Sequence, residues 1–215
     1  MKRFKKVLAL LLILTLCAAP METQAAKKNV TASMKKNKYV RKIAKNISLY
    51  TNAEMQGRDS GKKKKEKISG YNALSIAGFV GYQNGKYQFT KKEIQRITYN
   101  LFGKKPKTSS IPSIESKKRK WIAKTPSSWS NVNKPYVYAG GDWGTYKPLY
   151  SISKVVKVKK NVYDVTIINK SGSWENDEVK VLGKTYIRIK KNSKSSYKYK
   201  ITSLKYKRTY KGNDL

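Results

Sequence analysis

The stretch Leu149–Gly172, LYSISKVVKVKKNVYDVTIINKSG, decides the architecture. It is rich in Val, Ile, Tyr and Thr, and its apolar and polar residues alternate with a period near two. Lys159-Lys160-Asn161 interrupts it as a turn would. Two strands follow, Leu149–Val158 and Val162–Ile168, with Lys170-Ser171-Gly172 as the next break. The same period continues in Val179–Lys190 and Tyr197–Lys207, separated by the polar run Lys191–Ser196, and it begins upstream at Tyr136–Ala139. No insert long enough for a helix separates these segments, so they form an antiparallel meander. Such a sheet has one wet face and needs a cover for the other.

The residues before 104 supply that cover. In residues 31–52, TASMKKNKYVRKIAKNISLYTN, the apolar positions Tyr39, Val40, Ile43, Ala44, Ile47 and Tyr50 recur at helical spacing opposite a lysine-rich face. A surface helix packing one stripe on its own core outweighs a membrane-surface helix, because the stripe is narrow. Residues 56–68, including the run Lys62–Lys65, read as a solvated loop. Residues 71–82, YNALSIAGFVGY, read as a buried helix in which Gly78 and Gly81 permit close packing. A short strand at Lys86–Phe89 leads into FTKKEIQRITYNLFG. There Thr90 and Glu93 make a capping box, and Phe89 and Ile94 a hydrophobic staple. Ile94, Ile97 and Leu101 form the stripe, and Gly103 ends the helix. Residues 104–135 carry Pro106, Pro112, Pro126 and Pro135 among serines and lysines, an irregular connection. The expectation is one α+β domain over residues 27–215: helical at 27–103, irregular at 104–135, β-rich at 136–210.

This order of elements is similar to the NTF2-like, cystatin-related cone fold. The ending TYIRIKKNSKSSYKYKITSLKYK also resembles the last two strands of that superfamily, with Tyr199 and Ile201 at its aromatic-x-Ile positions. The resemblance implies a cone-shaped sheet and one of several roles: small-molecule isomerase, dehydratase, or secreted protein without catalysis. The enzymes commonly use an Asp or an Asp/His pair inside the cone. This chain has no histidine.

The N-terminus reads as an export signal. Lys2, Arg3, Lys5 and Lys6 precede the apolar run Val7–Leu16, and Thr23-Gln24-Ala25 offers small residues for cleavage near Ala25 or Ala26. About ten apolar residues make roughly 15 Å of helix, short of a bilayer. Cys17 raises lipidation as a rival, against which stands the bulky Leu16 before it. In a secreted chain the nuclear-localisation pattern Lys117-Lys118-Arg119-Lys120 has no meaning.

Charge is the dominant compositional fact: 49 Lys+Arg stand against 12 Asp+Glu. The first 26 residues hold four cations and Glu22, so the remainder carries +34. Lysine over arginine, with abundant Tyr, Asn and Ile, matches the coding bias of a low-GC Gram-positive bacterium. That bias does not explain the shortage of acids. A surface so charged attracts polyanions such as teichoic acid, acidic glycans, anionic lipid headgroups or nucleic acid.

Catalytic options are few. Without histidine, and without cysteine beyond Cys17, the commonest general base, thiol catalysis and the usual zinc sites are gone. Ser-x-x-Lys spacing occurs at Ser33, Ser60, Ser151 and Ser195, as often as a lysine-rich chain produces by chance. Glu175, Asp177 and Glu178 cluster but lack calcium-loop spacing. No catalytic residue, metal or cofactor is therefore assigned. Two candidate binding features remain. The first is the loop GGDWG with Asp142, Trp143 and Tyr146, either a ligand loop or a bend between strands. The second is the run Tyr197–Lys200, where Tyr197 and Tyr199 alternate with Lys198 and Lys200. It is either an aromatic and basic surface, or tyrosines packed on the helices with lysines in water. The residues favour a secreted, basic, non-enzymatic protein bound to an anionic envelope polymer. A cone-fold pocket protein and an extracellular nucleic-acid binder are the alternatives.

Overall fold

The two-residue period after residue 146 is realised as hairpins. In the computed structural model, β5 (Tyr146–Lys159) returns through Lys160-Asn161 into β6 (Val162–Ser173), then β7 (Val179–Lys191) and β8 (Tyr199–Arg208). Each pairs antiparallel with the next. Asn161 takes the left-handed turn position at φ 61°, which asparagine tolerates better than most residues. The structure describes residues 27–56, 61–66, 68, 70–84, 88–105, 136–137, 146–173 and 178–212.

Ahead of the meander come β1 (Lys28–Asn29), α1 (Thr31–Lys36), α2 (Lys38–Gln56), β2 (Lys63–Glu66), α3 (Gly70–Gln83), β3 (Gln88–Phe89) and α4 (Lys91–Phe102). β1 and β2 join the meander as its two edges, giving the order β1-β5-β6-β7-β8-β2. β3 pairs instead with β4 (Tyr136–Val137), so the strand expected at Tyr136–Ala139 stands apart from the main sheet. The architecture is α+β, with the helices ahead of an antiparallel sheet.

Three expectations are corrected. Residues 62–65 are not all loop: β2 pairs with β8 through Lys63↔Lys207 and Lys65↔Lys205. Lys170-Ser171-Gly172 is not a turn but the last part of β6, paired with both β5 and β7. The single helix expected at 31–52 is two. Asn37 separates them, and its Oδ1 accepts from Tyr39 N (3.0 Å) and Val40 N (3.2 Å), capping α2 as it begins. The signals in 88–103 behave as expected. Thr90 and Glu93 form a reciprocal capping box, and Gly103 closes α4 at φ 67°.

α2 lies along one face of the sheet and touches β5, β6, β7 and β8, while α3 packs on α2 and α4. Val40, Ile43, Ala44 and Ile47 of α2 are buried against Val155, Val165, Ile167, Ile187, Ile189 and Leu204 of the sheet. Each Val, Ile or Leu side chain contributes about 1.5–3 kcal/mol when fully buried.

A polar seam crosses this apolar interface. Asn169 of β6 is fully buried, and its Nδ2 shares two hydrogens among Ser48 O (3.2 Å), Thr51 Oγ1 (2.9 Å) and Asn52 Oδ1. Thr185 Oγ1 on β7 lies 2.7 Å from both Asn169 Oδ1 and Thr51 Oγ1. Asn52 Nδ2 donates to the β-strand carbonyls of Leu149 (3.4 Å) and Lys170 (3.2 Å). Apolar contact alone leaves a helix free to slide on a sheet. This seam matches donors to acceptors in one register only.

Beside it, β7 is bulged opposite the Asn169/Lys170 step. Gly183 follows Leu182 there, and an added Cβ would stand 2.1 Å from Lys207 O, so no larger residue fits without moving β8.

The edge strand β2 is fastened by a second polar cluster. Tyr206 Oη lies 2.6 Å from Glu54 Oε2 and 2.9 Å from Glu66 Oε1. A phenol has one hydrogen for two carboxylates. Lys64 Nζ supplies further donors, at 3.3 Å from Glu54 and 2.9 Å from Glu66. Burial pushes the Tyr206 phenol well above its ordinary range, and the hydrogen bond to Glu54 and the nearby carboxylate charges add to this.

Two outcomes are expected. Asn169→Ala strands the Thr185 and Asn52 partners and should lower unfolding free energy in urea by about 1–3 kcal/mol. A loss under about 0.5 kcal/mol would mean that the seam is not a register lock. Tyr206 keeps its proton in the fold beyond the pH where the unfolded chain releases it, near pH 10. Its contribution is intact below about pH 10 and falls above it. Denaturation between about pH 9 and 11 should show a smaller stability loss for Tyr206→Phe than for the parent chain.

Candidate functional site

With α2 on one face, strand alternation sends the other side chains of the sheet away from the helices. On β7, Thr185, Ile187 and Ile189 are buried, so Lys184, Tyr186, Arg188 and Lys190 point outward. On β8, Leu204 and Tyr206 are buried, so Lys205 and Lys207 point outward. On β2, Lys64 and Glu66 turn in toward Tyr206, which leaves Lys63 and Lys65 outward. α2, which touches all four long strands, packs on the opposite face.

The register sets these cations side by side. Lys184, Lys207 and Lys63 are direct cross-strand neighbours on three adjacent strands. Lys205 and Lys65 follow in the next row beside Tyr186. Lys190 pairs with Lys200; the Lys28–Lys157 pair at the far edge lies on the opposite face, in register with Tyr163 and Ile189. Directly opposed side chains stand about 5 Å apart at Cβ, and like charges there are destabilising. Tyr186 is the aromatic centre of the lattice, with Lys63 Nζ 5.1 Å from its ring centroid.

The five acids among the described residues are engaged with other partners. Glu54 and Glu66 belong to the Tyr206 cluster. Glu93 accepts from Thr90 N at 2.7 Å. Glu178 pairs with Lys180 at 3.5 Å. Asp164, on the outward face of β6, is held by Arg188 through Nε (2.7 Å) and Nη2 (2.8 Å), a bidentate pair that raises the Arg188 pKa. The lysine rows themselves contain no acid.

Where they are described, the residues singled out from sequence lie outside the rows Lys184–Lys207–Lys63 and Lys205–Lys65. Asp142 and Trp143 lie outside the described residues, and Tyr146 opens β5 opposite Ser173. Tyr197 precedes β8 and is 7% exposed; Asn46 Nδ2 donates to its hydroxyl at 3.0 Å, and Lys42 Nζ lies 5.1 Å from its ring centroid. Burial raises its pKa. Tyr199 is half-buried edge-on to Tyr163, 6.1 Å between centroids, and burial raises its pKa too. These tyrosines therefore follow the packing alternative and do not form an exposed platform. Lys198 is exposed in the turn before β8. The stem of Lys200 lies against Gly103, where an added Cβ would come within 2.6 Å of Lys200 Cδ.

Sequence reasoning missed Lys63, Lys65, Lys184, Tyr186, Lys205 and Lys207. Their alternation within VKVLGKTYIRIK and SLKYKR was a usable signal. The pairing that sets them in rows was not, because β2 joins β8 across most of the chain.

Comparison with family models, with curated proteins and with solved structures found no match.

Proposed function

We propose that this protein is a secreted binder of a linear anionic polymer, without catalysis of its own, and that it engages the polymer through the lysine-bearing face of its sheet. The observation that carries the reading is the row Lys184–Lys207–Lys63, three like charges directly opposed on adjacent strands. Such a row costs stability in the free protein. A polyanion laid across it removes the repulsion and releases its own counterions, so binding is favoured and salt-sensitive. Lysine suits such a surface because it is a mobile point charge that follows a flexible chain without demanding fixed geometry. A bacterial envelope polymer such as teichoic acid has the required chemistry and lies where an exported chain would meet it.

The test couples two measurements on one variant. Lys207→Glu places a carboxylate between Lys184 and Lys63. At low salt it should stabilise the fold by about 0.2–1 kcal/mol and weaken retention on purified cell walls. Parent binding should also fall steeply between low and high salt. Wall binding indifferent to salt, or unaffected by Lys207→Glu, would sink the reading. Stronger competition by DNA than by teichoic acid would favour a nucleic-acid partner instead.

A further inference from the structure

At the end of the sheet, the turn between β7 and β8 and the exposed flank of α4 enclose an open groove of about 710 Å³. Lys92, Arg96 and Tyr99 reach it from one helical face, at spacings of four and three residues. Lys194 and Lys198 reach it from the turn, and Lys105 from just beyond the helix. Among the described residues no carboxylate lines it. Glu93, the one acid of α4, is turned back into the capping box.

The walls are braced. Ser195 Oγ donates to Asn100 O at 2.8 Å, and Ser196 N donates to Asn100 Oδ1 at 3.1 Å. Tyr197 N donates to Ser195 Oγ at 3.1 Å, below which the ring is anchored in the core. Lys198 holds φ 57° and directs Nζ to Ser193 O at 3.3 Å. Asn100 thus ties the turn to the helix, and the groove is formed before any ligand arrives. A preformed site spends less binding free energy on ordering.

We infer that this groove is a discrete site for a phosphorylated polyol or sugar. Lys92 and Arg96 repel each other one helical turn apart, which a dianionic phosphate between them would reverse. The Arg96 guanidinium matches phosphate oxygens as a fork. Gln95 and the hydroxyls of Ser193 and Ser196 line the same groove and suit a hydroxylated ligand. Among the described residues Tyr99 is its one aromatic lining residue, and Lys105 Nζ lies 5.5 Å from that ring centroid. A single tyrosine with a lysine already near its ring is a poor platform for base stacking, which argues against a nucleotide. The sheet face presents rows of lysine around Tyr186. The groove is concave, with polar groups converging on a unit of limited size, as ligand sites commonly are.

None of the sheet-face lysines lines the groove, so this site is tested apart from the proposed function. The full chain would be titrated with glycerol 3-phosphate, inorganic phosphate and glycerol at physiological salt, followed by calorimetry and by amide chemical shifts. Glycerol 3-phosphate should saturate at one site, bind more tightly than phosphate, and shift amides of 92–100 and 193–198. Arg96→Ala should weaken it about tenfold or more, the worth of a charge-assisted contact. Lys198→Ala, in the turn, is the second variant should Arg96→Ala perturb α4. Lys63→Glu should leave this binding unchanged. Short poly(glycerol phosphate) then separates the sources: tighter binding of the oligomer assigns the site to a polymer segment, and equal binding to the free compound. Shifts spread over all lysines without saturation would overturn the inference. So would equal affinity for phosphate, or affinity untouched by both groove variants.

Discussion

Everything described in this protein depends on how α2 is seated on the sheet: the apolar side of the strands draws the helix to one face, and the Asn169 seam fixes its position there. Asn169 and Thr185 sit on neighbouring strands and meet Thr51 and Asn52 of the helix in one donor–acceptor match. Removing either side of a buried network leaves groups that water cannot reach. The seam therefore opposes sliding of α2 along the sheet. The lysine rows lie on the opposite face. They are what remains when the helix has taken the side of the sheet that carries Asn169.

A second constraint is how the few acids are used. The five described carboxylates serve a helix cap, the anchoring of an edge strand, and two ion pairs. Two of them, Glu54 and Glu66, share one phenol and one lysine to hold β2 in place. The strand they secure carries Lys63 and Lys65 to the outer face. Negative charge inside thus positions positive charge outside. This arrangement also explains why burial and neighbouring carboxylates keep Tyr206 protonated: its hydrogen is part of the joint.

Much of the fold was legible from local pattern. The alternation in 149–168 and 179–207 marked the meander, and the Thr90/Glu93 box with Gly103 marked α4 nearly to the residue. Failures came where distant pairing overrode local propensity. A run of lysines before one glutamate looks solvated. It becomes a strand because Glu66 finds Tyr206, 140 residues on. Lys170-Ser171-Gly172 has turn chemistry, yet β5 and β7 flank it on both sides and hold it extended. Asn169, the most consequential polar residue, looks like the end of a strand until its partners on α2 are known. For the site, the charge excess was plain from composition, whereas its order into rows exists only in the register. Tyr197 and Tyr199 were visible as a pair, but their burial depended on Asn46 and Tyr163, which no local window contains.

The edges of the sheet have a consequence of their own. β1 and β2 end the strand order, and both carry lysine: Lys28 on one side, Lys63 and Lys65 on the other. Unpaired strand edges invite edge-to-edge joining between copies, and charged edges discourage it. On a shared polymer, neighbouring molecules would therefore meet lysine to lysine. Occupancy would become progressively harder as the chain fills, so such a coat would space itself out rather than condense.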